Sequence, residues 1–324
     1  MEKCPHHNTI GILYPGEMGV SVGKLLSEAG FRVITTVEGR SPRTNRLCCE
    51  AGLSAVDSLD EVLRHSDLVI SLVSPGAALS VARNVAAHME GSARTLLYVD
   101  ANSISPMTVT QISEALRHVP VDFVDASIFV LASQLRQRGI LYLSGLRARE
   151  LAEQFGPFLR VKTVGDAPGQ ASTLKLIISG MTKGWNGLFV EQMLLAQKMH
   201  LLNEALEICD ESYPGIMEVI RRLLPTYPQH ARRRCEELQE IEATMLTSGL
   251  TPRIVRAVRE VISAVAHIDW PQKPDTQLWS VPEIIMQIHN EGALYAFESH
   301  SNQSPEQPRE HCSQSILVGR RSAG

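Results

Sequence analysis

Residues 9–30 read TIGILYPGEMGVSVGKLLSEAG, and the fold turns on how they are read. An apolar run, TIGILY, meets a Pro-Gly turn, and a segment with helical spacing of apolar residues follows and ends at Gly30. Strand, tight turn and helix in this order make a loop that can cradle the pyrophosphate of a dinucleotide. Such loops read G-x-G-x-x-G. Here Tyr14 holds the first glycine position, and Gly16 and Gly19 hold the second and third. Gly16 falls where backbone must approach the pyrophosphate, and Gly19 where the helix must pack closely on the strand. Pro15, Glu17 and Met18 complete the loop. Proline disfavours the helical region for the residue before it, so an extended Tyr14 is expected. A helix over 17–29 then turns its free N–H groups and the positive end of its dipole to the phosphates. The same pattern also fits a strand–helix turn with no ligand, so the neighbouring segments have to decide.

Five more apolar runs follow: 31–37, 67–73, 95–101, 121–129 and 139–145. They are rich in Val, Ile and Leu with little alternation. Strands buried on both faces of a parallel sheet have this composition. Helical patterns lie between them. One, at 76–90, follows the turn signal Ser74-Pro75-Gly76; another, at 105–117, opens with a cap-like Ser105 and Pro106 at the first helical position. The alternation predicts an α/β architecture, a doubly wound Rossmann-type parallel sheet over residues 1–166. From Gly169 the texture changes to one long helical pattern, 169–201, with Gly180, Gly184 and Gly187 near one face, predicting close packing against another helix. Further helical patterns at 215–224, 229–247 and 252–267 are punctuated by Pro225, Pro228, Gly249 and Pro252. Residues 167–300 therefore read as an all-α C-terminal domain. Residues 301–324 are polar and Pro/Ser-rich, the composition of a disordered tail.

A chain of 324 residues is long enough for two cores, and 44% hydrophobic with 20% charged residues is ordinary globular composition. A net charge of −4 offers no basic footprint for nucleic acid. The apolar stretches are strand-length, too short to span a membrane. The six cysteines fall in no metal-ligand spacing, so no metal site is expected, the Cys4, His6, His7 cluster included. The N-terminal MEKCPHHNT lacks the apolar core of a signal peptide, and with reduced thiols this points to the cytoplasm.

The end of the second predicted strand decides in favour of a nucleotide. It carries Glu38, Arg40, Ser41 and Arg43, where a dinucleotide fold meets the adenosine ribose. An acidic residue there favours the free 2′-hydroxyl of NAD, while arginine and serine favour a 2′-phosphate. Two arginines and a serine outweigh one glutamate, so NADP(H) is expected ahead of NAD. The alternative is that Arg40 and Arg43 are solvated charges at a helix start.

Three segments in order now resemble one family. PGEMG matches the later part of a G-x-G-x-M-G loop, VDANSISP (99–106) resembles D-x-S-T-I-S-P, and GQASTLKLIISG (169–180) resembles a helix written G-x-x-x-x-x-K-x-x-x-N. These are motifs of the β-hydroxyacid dehydrogenases, which include 6-phosphogluconate and 3-hydroxyisobutyrate dehydrogenases and, as a branch, imine reductases. The resemblance covers about residues 8–200. It implies that Val73, Ser74 and Pro75 pass the nicotinamide, that Asn102 and Ser103 meet cofactor and substrate, and that Lys175 is the catalytic lysine. It also implies a homodimer built through the helical domain, with a small substrate bound between the domains. Two departures stand out. Ser179 replaces the family's asparagine, and VDASIFVLASQ (124–134) keeps Asp125, Ala126 and Ser127 of the substrate loop but not its glycines.

The chemistry expected of this set is hydride transfer to or from a small carbonyl or hydroxy compound, with Lys175 as general acid/base. An unperturbed lysine, at a pKa near 10.4, needs desolvation or a neighbouring cation to act as base. The apolar residues around Lys175 can provide the first. Lys183, at i+8 on the same face, is a candidate for a substrate anion, with Ser103, Asp125 and Ser127 as further substrate contacts. Ser179, at i+4, can hydrogen-bond the substrate in place of the asparagine. The run Arg232-Arg233-Arg234 with Glu236, Glu237 and Glu240 reads as a solvated, salt-bridged helix face. The competing functions are an imine or enamine reductase, and a non-catalytic NADP-binding protein.

Overall fold

A computed structural model describes residues 8–130, 132–274 and 278–295. The expected tail at 301–324 and the Cys4, His6, His7 cluster lie outside them. The α/β part runs β1 (Thr9–Leu13), α1 (Glu17–Glu28), β2 (Arg32–Thr36), α2 (Pro42–Glu50), β3 (Ser54–Val56), α3 (Leu59–His65), β4 (Leu68–Ser71) and α4 (Pro75–Met89). It continues with β5 (Leu96–Asp100), α5 (Pro106–Leu116), β6 (Val121–Ile128), α6 (Leu135–Arg138), β7 (Ile140–Ser144), α7 (Ala148–Phe155) and β8 (Arg160–Gly165). The strands form one sheet in the order β3-β2-β1-β4-β5-β6-β7-β8. Alternate residues of each strand point to opposite faces, and both faces are covered. Ile10, Ile12 and Val33 pack with Leu25 and Leu26 of α1, while Leu13, Ile34 and Val69 pack with Val62 of α3 and Val81 of α4.

The sheet departs from the all-parallel expectation at one place: β6 and β7 are antiparallel. Only residues 129–139 join them, less than the dozen or more that a parallel crossover needs. Pairing returns to parallel at β8, reached through α7.

The remaining helices are α8 (Gln170–Lys198), α9 (Leu202–Ser212), α10 (Pro214–Leu223), α11 (Tyr227–Thr247), α12 (Arg253–Ala266) and α13 (Val281–Asn290). At about 1.5 Å per residue, α8 is roughly 44 Å long. Its first turn is seated against β6 and β7, and its later turns form one wall of the helical core. Two glycines of α8 mark close crossings. A Cβ on Gly187 would meet Val258 of α12 at 2.9 Å, and one on Gly180 would meet Ile241 of α11 at 3.4 Å. Trp185 packs against this helical core. No helix among the described residues is long and apolar enough to cross a membrane.

Candidate active site

The order of the sheet reverses between β1 and β4, and a crevice opens beyond the carboxyl ends of these two strands, where open α/β sheets take their ligands. A cavity of about 410 Å³ lies here, lined by Tyr14, Gly16, Glu17 and Met18 from the first loop, Arg40 from the second, and Val73 and Ser74 after β4. Gly16 is the N-cap of α1 and brings no side-chain cap, so the first-turn N–H groups lack the partner a serine would supply. A Cβ built on Gly16 would meet nothing within 4 Å, while one on Gly19 would come within 3.1 Å of Pro15. Gly16 thus leaves open space in front of the helix start, and Gly19 allows a close approach.

Tyr14 corrects one expectation. It is not extended but has φ +46°, the left-handed region, despite the proline after it. The chain makes the sharp turn that glycine makes elsewhere, and Tyr14 bears the strain of it. Its phenol stands near Glu38, whose charge adds to burial in raising the phenol pKa. Arg40 reaches across to the Pro15 carbonyl at 3.3 Å. Ser41 is the N-cap of α2, its hydroxyl accepting from the Thr44 amide, and Arg43 and Pro75 do not line the cavity. Of the residues expected at a 2′-phosphate, Arg40 alone faces the space. The loop, the open helix start and this guanidinium fit a dinucleotide, which supplies or accepts a hydride when bound.

A second cavity, of about 130 Å³, lies between the sheet and the helical domain. Asn102, Ser103 and Ser127 line it from the sheet side, Lys175 and Ser179 from α8, and Glu237 and Glu240 from α11. Lys175 donates to the Ser103 hydroxyl at 2.7 Å. Desolvation lowers its pKa, with the charge of Lys183 acting in the same direction and Glu237 opposing. Asn102 ties the cavities together. Its side-chain oxygen accepts from the Val73 amide at 2.7 Å, and its side-chain nitrogen donates to Ser71 at 3.0 Å and to Asp100 at 2.9 Å. Burial pushes the Asp100 carboxyl up to about 7, against its two hydrogen bonds from Asn102.

Two proposed substrate contacts are otherwise engaged. Asp125 is fully buried, and its carboxylate accepts from the amides of Gly169 at 2.9 Å and Ser172 at 3.0 Å, and from the hydroxyls of Ser144 and Ser172. It anchors the start of α8 and has no face toward substrate. Lys183 is 4% exposed and pairs with Glu237 at 2.7 Å while donating to Ser179. A buried ammonium needs a counter-charge, and α11 supplies it. The arginine run is likewise not a solvated face throughout: Arg234 is buried, stacked over Tyr227 and bonded to Thr226. Glu237 and Glu240 are the residues that sequence reasoning misses. Their signal is positional, since they flank Leu238 and Ile241 on the side of α11 that turns inward. No group of three or more metal-ligating side chains occurs among the described residues.

An open helix start at the reversal point of a doubly wound sheet, with a lysine-bearing cleft beside it, defines a Rossmann-type dinucleotide-binding oxidoreductase. Comparison with known proteins narrows the class. Residues 9–129 match the NAD binding domain of 6-phosphogluconate dehydrogenase, and residues 196–265 match a domain of unknown function, DUF1932. A solved conserved protein of unknown function, described as structurally similar to 3-hydroxyacid dehydrogenases, is 30% identical, with TM-score 0.65, over 79% of this chain and 96% of that one. An uncharacterized 28.5 kDa protein of Methanothermus fervidus is 29% identical over 260 residues, 79% of this chain and 98% of that protein. The 3-hydroxyisobutyrate dehydrogenase of Mycobacterium tuberculosis shares the fold, with TM-score 0.68 at 17% identity over 88% of this chain and 99% of that one. The chain belongs to the β-hydroxyacid dehydrogenase-like family of NAD(P)-binding oxidoreductases.

Proposed function

We propose that the protein is an NADP(H)-dependent oxidoreductase that transfers a hydride to or from a small carbonyl or hydroxy compound, with Lys175 as the general acid/base. The observation that carries this reading is Lys175 itself. It emerges from an apolar helix into the second cavity, is held by Ser103, and has a depressed pKa. In the oxidative direction a neutral Lys175 takes the hydroxyl proton as the hydride leaves; in the reductive direction its ammonium stabilises and protonates the developing alkoxide. Asn102 holds the Val73 loop against the Asp100 loop, so the nicotinamide-side and substrate-side walls keep one spacing.

Lys175→Ala tests the reading. Turnover is expected to fall about 10³-fold, the scale of a lost acid/base, while NADPH affinity by fluorescence titration stays within about threefold, since Lys175 does not line the first cavity. The oxidative rate should rise with pH to a plateau, with an inflection below the ordinary lysine value. Unchanged turnover in the variant would leave a binding protein without chemistry.

A homodimer belongs to the same proposal. Ile177, Met181, Leu188 and Leu195 of α8 and Met199 at its C-cap recur at spacings of four or seven residues, and all are exposed. An unpartnered apolar stripe on one long helix fits a second copy. Light scattering should give twice the chain mass at micromolar concentration; a monomer would refute it.

A further inference from the structure

The charges facing the second cavity are unequal. Glu237 is matched by Lys183 at 2.7 Å and by Arg233 at 3.5 Å. Lys175 is a cation only while it carries the proton, and as a base it is neutral. Glu240 is a solvent-exposed residue of the cavity rim and forms no ion pair or side-chain hydrogen bond among the described residues. Lys183 and Arg233 are both engaged by Glu237, so when Lys175 is ready to accept a proton Glu240 is the one charged group of the lining without an ion partner among the described residues. A substrate carboxylate would enter beside Glu240 with no unpaired cation to meet it, and like charges so placed disfavour each other.

A second observation points to a ligand in the same space. Ser127 is completely buried, its hydroxyl has no hydrogen-bond partner, and it lines the cavity. Buried hydroxyls are normally paired, so the partner it lacks is one that a bound molecule brings. The hydroxyls of Ser103 and Ser179 add neutral polar groups on the same walls, suited to a substrate oxygen.

We infer that the substrate is a small hydroxy compound bearing an ammonium group, an amino alcohol and its amino carbonyl partner, with the ammonium at Glu240 and the reacting oxygen at Lys175. The inference rests on the hydride-transfer reading above and names its substrate class. In the oxidative direction the carbinol C–H bond breaks and its hydride passes to the oxidised nicotinamide. The O–H bond breaks and its proton passes to Lys175 Nζ, while the C–O bond becomes C=O. The ammonium is unchanged; one reduced nicotinamide forms, and the proton on Lys175 leaves to solvent.

Three alcohols that differ in one group test this with the full-length protein and NADP⁺: 1-amino-2-propanol, 1,2-propanediol and lactate. A second set, 4-amino-2-butanol and 3-hydroxybutyrate, covers a longer spacing. The ammonium compound is expected to lead the diol by about fourfold in kcat/KM, the scale of one exposed ion pair, with the carboxylates last. Glu240→Gln should cut the ammonium-to-diol ratio about fourfold, and Glu240→Lys should raise the carboxylates above the ammonium compounds. Best turnover of lactate or 3-hydroxybutyrate, or a ratio untouched by Glu240→Gln, would overturn the inference while leaving the hydride-transfer reading intact. Loss of hydride from the carbon bearing nitrogen, detected as imine from amines without a hydroxyl, would also overturn it. No turnover of any compound, with NADPH bound, would overturn both.

Discussion

Two helices of this molecule begin in the same way and end up with opposite roles. Both α1 and α8 start just after a glycine, Gly16 and Gly169, and both present first-turn N–H groups that no helix can satisfy from within. At α8 the chain supplies its own anion. The Asp125 carboxylate accepts the Gly169 and Ser172 amides and is sealed from solvent. At α1 it supplies none, and the space in front of Gly16 opens into the larger cavity. The same arrangement of backbone dipoles is a joint where it is filled from within and a ligand site where it is left open.

Removing the internal anion gives the largest effect. Asp125→Ala strands four buried donors, two amides and two hydroxyls, and should cost about 4 kcal/mol of stability. Chemical denaturation would read this, and Asp125→Asn, which keeps one acceptor, should lose roughly half as much. A stability loss under about 1 kcal/mol for the alanine variant would mean that α8 does not depend on this joint. The reverse exchange is smaller and cleaner. Gly16 has extended backbone, φ −97°, and room for a side chain, so Gly16→Asp would place a carboxylate on the α1 amides. It should add only about 0.3 kcal/mol of helix capping, since glycine is already a fair N-cap, and weaken NADPH about 100-fold through like-charge repulsion with the pyrophosphate. Undiminished NADPH binding would show that the pyrophosphate does not sit on α1.

The contrast also explains what the sequence makes legible. Six strands stand out as apolar runs; β3 escapes because it is three residues long and mostly exposed, and β8 because RVKTVG is polar along one side. The cap at Ser105 with Pro106 behind it is local chemistry, and it appears as read. The first cavity is built from segments close in sequence to recognisable strands, so its lining can be read from turns. The second joins 102–105, 127, 172–179 and 237–241, and no local pattern sets how α11 crosses α8. Glu237 thus looks like the partner of the nearby arginines, when its shorter contact is to Lys183 one helix away. Asp125 misleads for a related reason. A carboxylate inside a strand that leads to the cleft reads as a substrate contact, but whether it faces a cleft or a helix start depends on where α8 lands, forty-odd residues later.

Arg40 sharpens the comparison at the smallest scale, because it adds a cation beside the open helix start of α1. Its guanidinium lines the first cavity and holds the Pro15 carbonyl at 3.3 Å. Two roles follow from that position. A contact with a 2′-phosphate would help NADPH alone, whereas bracing the loop at Pro15 would help both cofactors equally. Arg40→Ala is expected to weaken NADPH about tenfold, the scale of one charge-assisted hydrogen bond at a solvated site, and NADH by less than about twofold. Paired fluorescence titrations measure both. Equal losses would assign Arg40 to the loop and remove the preference for NADP(H), since Ser41 is occupied as the cap of α2 and Arg43 lies outside the cavity. Glu38 would then be the residue left at the ribose, and its carboxylate favours a free 2′-hydroxyl.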